Sequence, residues 1–198
     1  MNIYLLRHGE TDWNIEGRFQ GRMDIPMNDN GVAQIQRAME ALAALSPDVD
    51  VILTSPLSRA KKSAEIAADK LGIPREEIVL APDFIERAFG EAEGTVTTRM
   101  WDEQVIASFA GSEKKEEVCD RAQQALFAAA EQYAGHNILI AAHGAILKAV
   151  IAAVLGQQEV YENRKMKLES GCIHLLQYED GIWSAWKLDQ KEGIFRKL

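Results

Sequence analysis

The stretch Ile138-Leu139-Ile140-Ala141-Ala142-His143-Gly144 is an apolar run without polar alternation that stops at a histidine and a glycine. An apolar helical pattern from Ala145 to Leu155 follows, closed by Gly156. A run of this kind fits a strand buried on both faces of a parallel sheet, and the helix after it fits the crossover such a sheet requires. Ile3 to Leu6 and Val51 to Thr54 have the same character. After the first, Val32, Ile35, Met39, Leu42 and Leu45 recur at helical spacing up to Pro47. After the second, Leu57, Ala60, Ala64, Ala67 and Leu71 do so and stop at Gly72, with Pro74 beyond. Cys172 to Gln177 and Trp183 to Leu188, separated by Glu179-Asp180-Gly181, read as a terminal hairpin. The expected fold is α/β, a three-layer αβα sandwich with a mostly parallel, doubly wound sheet and a C-terminal hairpin at one edge.

The chain has 198 residues, enough for one complete core and too few for two comfortable ones, so one domain over 1–198 is expected. Thr95 to Gly111 breaks the strand–helix rhythm and carries Arg99, Trp101 and Phe109; residues 95–136 read as an insertion or lid over one end of the sheet. Within it, Glu113 to Glu117 reads as the solvated first turn of a helix with Ser112 as its N-cap.

Hydrophobic residues at 47% and charged residues at 26% are those of an ordinary folded protein, which excludes disordered, collagen-like and disulfide-scaffold classes. A net charge of -8 gives phosphates no long-range attraction, so nucleic acid is not an expected partner and any anion must be held by local arginines, backbone N–H groups and helix ends. The longest apolar run, Ala149 to Leu155, is far short of the ~20 residues of a membrane span, and the start lacks a signal-peptide pattern; a cytoplasmic protein without membrane association is the expectation. Cys119 and Cys172 lie far apart and read as buried reduced thiols.

The chemistry is concentrated where the strands end. Tyr4-Leu5-Leu6-Arg7-His8-Gly9 and Ile140-Ala141-Ala142-His143-Gly144 both place a His-Gly pair at the carboxyl end of a strand, the edge where open α/β sheets bind ligands. Thr54-Ser55-Pro56-Leu57-Ser58-Arg59 brings a helix start and a second guanidinium to the same edge. Two imidazoles, Arg7 and Arg59 form a phosphate-binding composition, planar donor forks matched to oxygens beside a nitrogen able to attack phosphorus. His8, Glu10, His143 and an acid could also hold a divalent ion, but the arginines among them repel a cation, so no metal is expected. His136 and His174 lack this context and read as structural.

Arg7-His8-Gly9-Glu10-Thr11, Asn14, Gly17-Arg18 and Gln20-Gly21 resemble the opening motif of the histidine phosphatase superfamily, whose branch includes the cofactor-dependent phosphoglycerate mutases. Asp24, Pro26 and Gly31 fit the same pattern; Ser55-Pro56-Leu57 with Arg59-Ala60, Glu86 with Gly90, Glu93 and Gly94, and His143-Gly144 supply three further blocks in order. The resemblance implies that His8 is the nucleophile and forms a phosphohistidine, that Arg7, Arg59 and His143 hold the phosphoryl oxygens, and that Glu86 is the general acid and then base. Asn14, Gln20, Gly21 and Gly144 would line the phosphate and substrate side, with Arg99 a candidate from the insertion. No cofactor is implied. Asn14 can equally close the turn after Trp13, Arg18 can pair with Glu16, and Glu91 and Glu93 compete with Glu86 for the acid role.

Mutases of this family generally carry a longer segment between the acid and the second histidine, where this chain has 56 residues, and tend to Thr-Gly where it has Gln20-Gly21. The resemblance therefore implies hydrolysis of a small phosphomonoester by a monomer or homodimer, with phosphoglycerate mutase or non-catalytic phospholigand binding as alternatives. Ala92 stands where many relatives have Trp, which implies a pocket open to a bulkier leaving group.

Overall fold

The computed structural model describes residues 1–97, 103–156, 160, 166 and 168–198. Seven strands form one mixed sheet: β1 (Asn2–Arg7), β2 (Val51–Thr54), β3 (Val79–Leu80), β4 (Ile138–Ala142), β5 (Ile173–Glu179), β6 (Ile182–Asp189) and β7 (Ile194–Lys197), in the order β3-β2-β4-β1-β5-β6-β7. The first four are parallel to one another and the last three run antiparallel to their neighbours. The helices are α1 (Asp12–Ile15), α2 (Asp29–Ala43), α3 (Ser58–Leu71), α4 (Glu103–Ala107), α5 (Lys115–Gln132) and α6 (Gly144–Leu155). None of the described helices is long and apolar enough to cross a membrane.

Alternation along the central strands sorts the core into two layers. Tyr4, Leu6, Ile52, Leu139 and Ala141 pack with Ile35, Met39 and Leu42 of α2 and Ala64 and Ala67 of α3. Ile3, Leu5, Ile138 and Ile140 face the other way, against Val118, Ala122 and Leu126 of α5 and Leu147 and Val150 of α6. Because α5 supplies half of that second layer, it is an integral part of the fold; a lid could be removed without opening the core. Within the expected insertion over 95–136, α5 is thus core, and before it Ile106 closes a small cluster with Phe19, Phe89 and Ala92.

The C-terminal hairpin turns at Asp180 and Gly181, both with positive φ (50° and 82°), as a two-residue turn matched to strand twist requires. β7 pairs with β6 and covers its edge from within the chain. One expectation shifts at a helix end. Ser112 is not the N-cap of α5; Lys114 is, and the Ser112 hydroxyl donates to Ile106 O at 2.8 Å. The α3 N-cap is Leu57, which has no capping oxygen, and Asp24 supplies one from another loop by accepting from Ser58 N at 2.7 Å.

Candidate active site

Strand register brings the site together. In the parallel pairing of β1 with β4, Arg7 lies opposite Ala142, and His8 N donates to Ala142 O at 3.0 Å. β2 flanks β4 on the other side, and Ser55 N donates to Ala141 O at 3.1 Å. His8, His143 and Ser55 therefore emerge at one carboxyl edge, with the two imidazole centroids 5.2 Å apart. Behind them, α2 is drawn close to β1: Gly9 and Gly31 approach so tightly that a Cβ at either would overlap the backbone carrying the other.

The ring of His8 is fixed by Nδ1, 2.6 Å from Gly9 O. A carbonyl can only accept, so Nδ1 carries the proton and Nε2 keeps its lone pair. Burial holds the His8 pKa well below its ordinary value, Arg7 and Arg59 push it further down, and the Gly9 hydrogen bond opposes them. The imidazole is neutral at physiological pH. His143, the N-cap of α6, accepts from Arg59 Nε at 3.2 Å through Nδ1, which leaves its proton on Nε2 to donate to Ser55 Oγ at 2.7 Å. Its pKa too is held well down by burial, then by Arg59, His8 and Arg7.

Arg59 is buried in the first turn of α3 and reaches Met23 O at 2.7 Å and Gly21 O at 2.8 Å besides His143. Burial lowers its pKa, and Glu86 and Asp24 act against that. Three of its five N–H groups are thus used to tie the loop after Gln20 to the second histidine. Arg7 lies against the start of α6, its Nε 3.4 Å from where a Gly144 Cβ would stand, and Nη1 donates to Leu168 O. Arg7 Nε is buried without a hydrogen-bond partner among the described residues, as is Gln20 Oε1. Buried polar atoms of this kind are costly unless a ligand meets them, and a phosphoryl oxygen suits the arginine. Gly21 has φ +51°, and a Cβ there would run into the Glu93 carboxylate, which accepts from Arg22 N and Phe89 N at 3.0 Å each.

Of the three candidate acids, Glu86 alone meets the helix that begins at His143. Its carboxylate accepts from Arg87 N (2.9 Å), Ala145 N (3.2 Å) and Ile146 N (3.1 Å). Glu91 is exposed and Glu93 is occupied in bracing Gly21.

Other expectations fare variously. Asn14 closes a turn: its Oδ1 accepts from Thr11 N at 3.1 Å in a reciprocal cap of α1. Arg18 pairs with Glu16 and donates to Gly94 O at 2.7 Å. Arg99 and Trp101 lie outside the described residues. Ala92 does not open a pocket, because it is fully buried with Phe19, Phe89 and Ile106, and Phe109 packs on the same cluster. His136 is exposed and His174 is buried within β5. Met27, whose sulfur accepts from Gly9 N at 3.1 Å, and Glu113, whose carboxylate is bound by Arg121 and Arg22, were not foreseen. Glu113 sits in a run of charges that reads as solvated surface, and nothing local sets it apart.

Among the described residues no group of three or more His, Cys, Asp or Glu side chains could hold a metal ion. A cavity of about 500 Å³ lies away from the histidines, between β6, β7 and Glu169; its Lys187 and Arg196 are paired with Glu169 and Asp189. The orphaned Arg7 Nε and Gln20 Oε1 belong to the histidine edge and not to that hollow.

Residues 3–190 match the profile of the histidine phosphatase superfamily (branch 1). The chain is 34% identical over 181 residues to an uncharacterized phosphatase, PhoE, of Bacillus subtilis, covering 91% of this chain and 90% of that protein. It is 29% identical to a probable phosphoglycerate mutase, GpmB, of Cronobacter sakazakii, over 96% and 91% of the two chains. Among solved structures, phosphoserine phosphatase from Entamoeba histolytica in complex with 3-phosphoglyceric acid superposes with a TM-score of 0.78 at 25% identity, over 93% of this chain and 94% of that one. With a matching profile over nearly its whole length and relatives that are phosphatases and probable mutases, the chain belongs to the histidine phosphatase superfamily.

Proposed function

We propose that the protein is a metal-independent phosphomonoester hydrolase acting on a small phosphorylated metabolite through a phosphohistidine on His8. The observation that carries this reading is the state of His8: buried, neutral, protonated on Nδ1, with the Nε2 lone pair beside two arginines and a second imidazole. Nε2 attacks phosphorus and the P–O bond to the alcohol breaks, Glu86 delivering its proton to the departing oxygen. Water then attacks the phosphohistidine, gives its proton to Glu86, and the P–N bond breaks to release phosphate. Arg7, whose Nε has no hydrogen-bond partner among the described residues, Arg59, through the N–H groups left over from the loop, and His143 stabilise the charge gathered on the phosphoryl oxygens. The two arginines supply at the site the positive charge that a metal supplies in other phosphatases. Gln20, Gly21 and Gly144 line the phosphate side, while Asn14 acts through the turn it caps. The ligand is the phosphomonoester substrate, bound by a monomer or homodimer, and the buried thiols Cys119 and Cys172 suit a reducing, cytoplasmic setting.

Hydrolysis is favoured over transfer because the segment between Glu86 and His143 is short and leaves the phosphohistidine open to water. The phosphatase relatives from Bacillus and Entamoeba support that choice. Phosphoglycerate mutase activity is the second reading, favoured by the Cronobacter relative. The test is hydrolysis of p-nitrophenyl phosphate in EDTA by the native protein and by His8→Ala. Turnover that persists in EDTA and vanishes in the variant is expected; a native protein without turnover would favour the mutase.

A further inference from the structure

The segment Asp83–Ala88 carries Glu86 but belongs to no strand, so its carbonyls need partners from elsewhere. Two arginines provide them. Arg121 of α5 donates through Nη1 to Asp83 O at 2.6 Å and Ile85 O at 2.9 Å, and Arg22, from the loop after Gln20-Gly21, donates through Nε to Glu86 O at 3.2 Å. Both arginines are held by one carboxylate. Glu113 receives Arg121 in a two-pronged pair, Nε to Oε1 and Nη2 to Oε2 at 2.9 Å each, and Arg22 Nη2 at 3.3 Å. It also accepts from Ala88 N at 3.2 Å, and its own backbone binds Ala88 O and the Arg87 guanidinium at 2.9 Å each. The Glu113 side chain is only 12% exposed. Burial alone would raise its pKa, but Arg121, Ala88 N and Arg22 together bring it below the ordinary value, so the carboxylate is charged.

We infer that Glu113 is a positioning residue for the acid step, holding Arg121 and Arg22 so that they fix the backbone on either side of Glu86. The geometry has a specific consequence. Glu86 must meet both the helix start at His143 and the departing oxygen, and misplacement by about 1 Å of a group that transfers a proton costs on the order of a hundredfold. Arg22 adds a link of its own, since the same residue follows the Gln20-Gly21 turn that Arg59 holds. The acid loop and the phosphate-side loop are therefore braced by one carboxylate.

The inference rests on Glu86 being the acid, and the experiment separates the two claims. For Glu113→Gln, Arg22→Gln, Glu86→Gln and the double variant Glu86→Gln with Glu113→Gln, kcat/KM is measured on p-nitrophenyl phosphate and on phenyl phosphate. These differ little in shape, but phenol is the weaker acid and leaves only with a proton supplied. Glu113→Gln is expected to lose about tenfold or more on phenyl phosphate and less than about twofold on p-nitrophenyl phosphate. The double variant should fall no further than Glu86→Gln alone, because both lose the same function. Thermal unfolding of each variant accompanies the kinetics. Should Glu113→Gln not fold, Arg22→Gln, an exposed member of the same cluster, carries the test with the same expected selectivity. Equal losses on both substrates, or losses that add to those of Glu86→Gln, would overturn the positioning role and leave a merely structural one. If Glu86→Gln itself shows no selectivity between the substrates, the acid assignment falls and the positioning role with it.

Discussion

Replacing Arg59 by methionine nearly conserves the buried volume while removing a charge and three hydrogen bonds, at 3.2 Å to His143 Nδ1, 2.7 Å to Met23 O and 2.8 Å to Gly21 O. Each of the two bonds to carbonyls counts for about 1 kcal/mol. His143 Nδ1 is fully buried, and leaving it without a donor costs about 2 kcal/mol. Relief of the buried, desolvated guanidinium offsets part of this by roughly 1–2 kcal/mol. The net loss is about 2–3 kcal/mol, which a protein of ordinary stability survives folded. Urea unfolding followed by far-UV circular dichroism should show a lower midpoint at an unchanged slope. In the same variant His8 loses one of the cations that depress its pKa, so its imidazole should titrate at higher pH in an NMR titration. A stability within about 0.5 kcal/mol of the native protein would refute the claim that Arg59 holds the loop to His143. An unshifted His8 titration would refute its electrostatic role.

At Gly21, alanine combines a left-handed conformation costing about 1–2 kcal/mol with eviction of Glu93 from its two backbone bonds; Gly21→Ala should lower the thermal midpoint well beyond Gly72→Ala, where φ is +71° but nothing stands within 4 Å. Stability should also depend on pH through His174. Burial, and then Lys187, lower its pKa from 6.5 to about 4, with Glu169 opposing. The unfolded chain therefore takes up the proton first: the contribution is complete above about pH 6.5 and is lost as the pH falls toward 4, by about 2 kcal/mol at pH 5. Urea midpoints at pH 7 and pH 5 check this, and His174→Leu should flatten that part of the difference.

Much of this was legible in the sequence because the deciding signals are local. The apolar runs at Val51–Thr54 and Ile138–Ala142 coincide with β2 and β4, and Gly72 ends α3 in a left-handed cap. Both His-Gly endings mark strand termini, so the convergence of His8 and His143 followed from parallel register alone. β3 and β7 escaped notice for opposite reasons: two residues carry no periodicity, and Ile194–Lys197 has charges at half its positions because it is an edge strand. The bonds that orient the site were not legible, since Glu113 to Ala88, Arg121 to Ile85 and Asp24 to Ser58 join residues whose separation in sequence has no pattern. Ala92 shows the limit of a motif departure, because a small residue that suggests space is in fact packed against Phe19 and Phe89.

The most direct measurement of the central claim is to mix the protein with a ³²P-labelled phosphomonoester in EDTA, quench in alkali within the first turnover, and map the label. Label on His8 at Nε2, stable to alkali, released by acid and absent from His8→Ala, is the result predicted. Turnover with no label on His8, or label on another residue, would contradict the account.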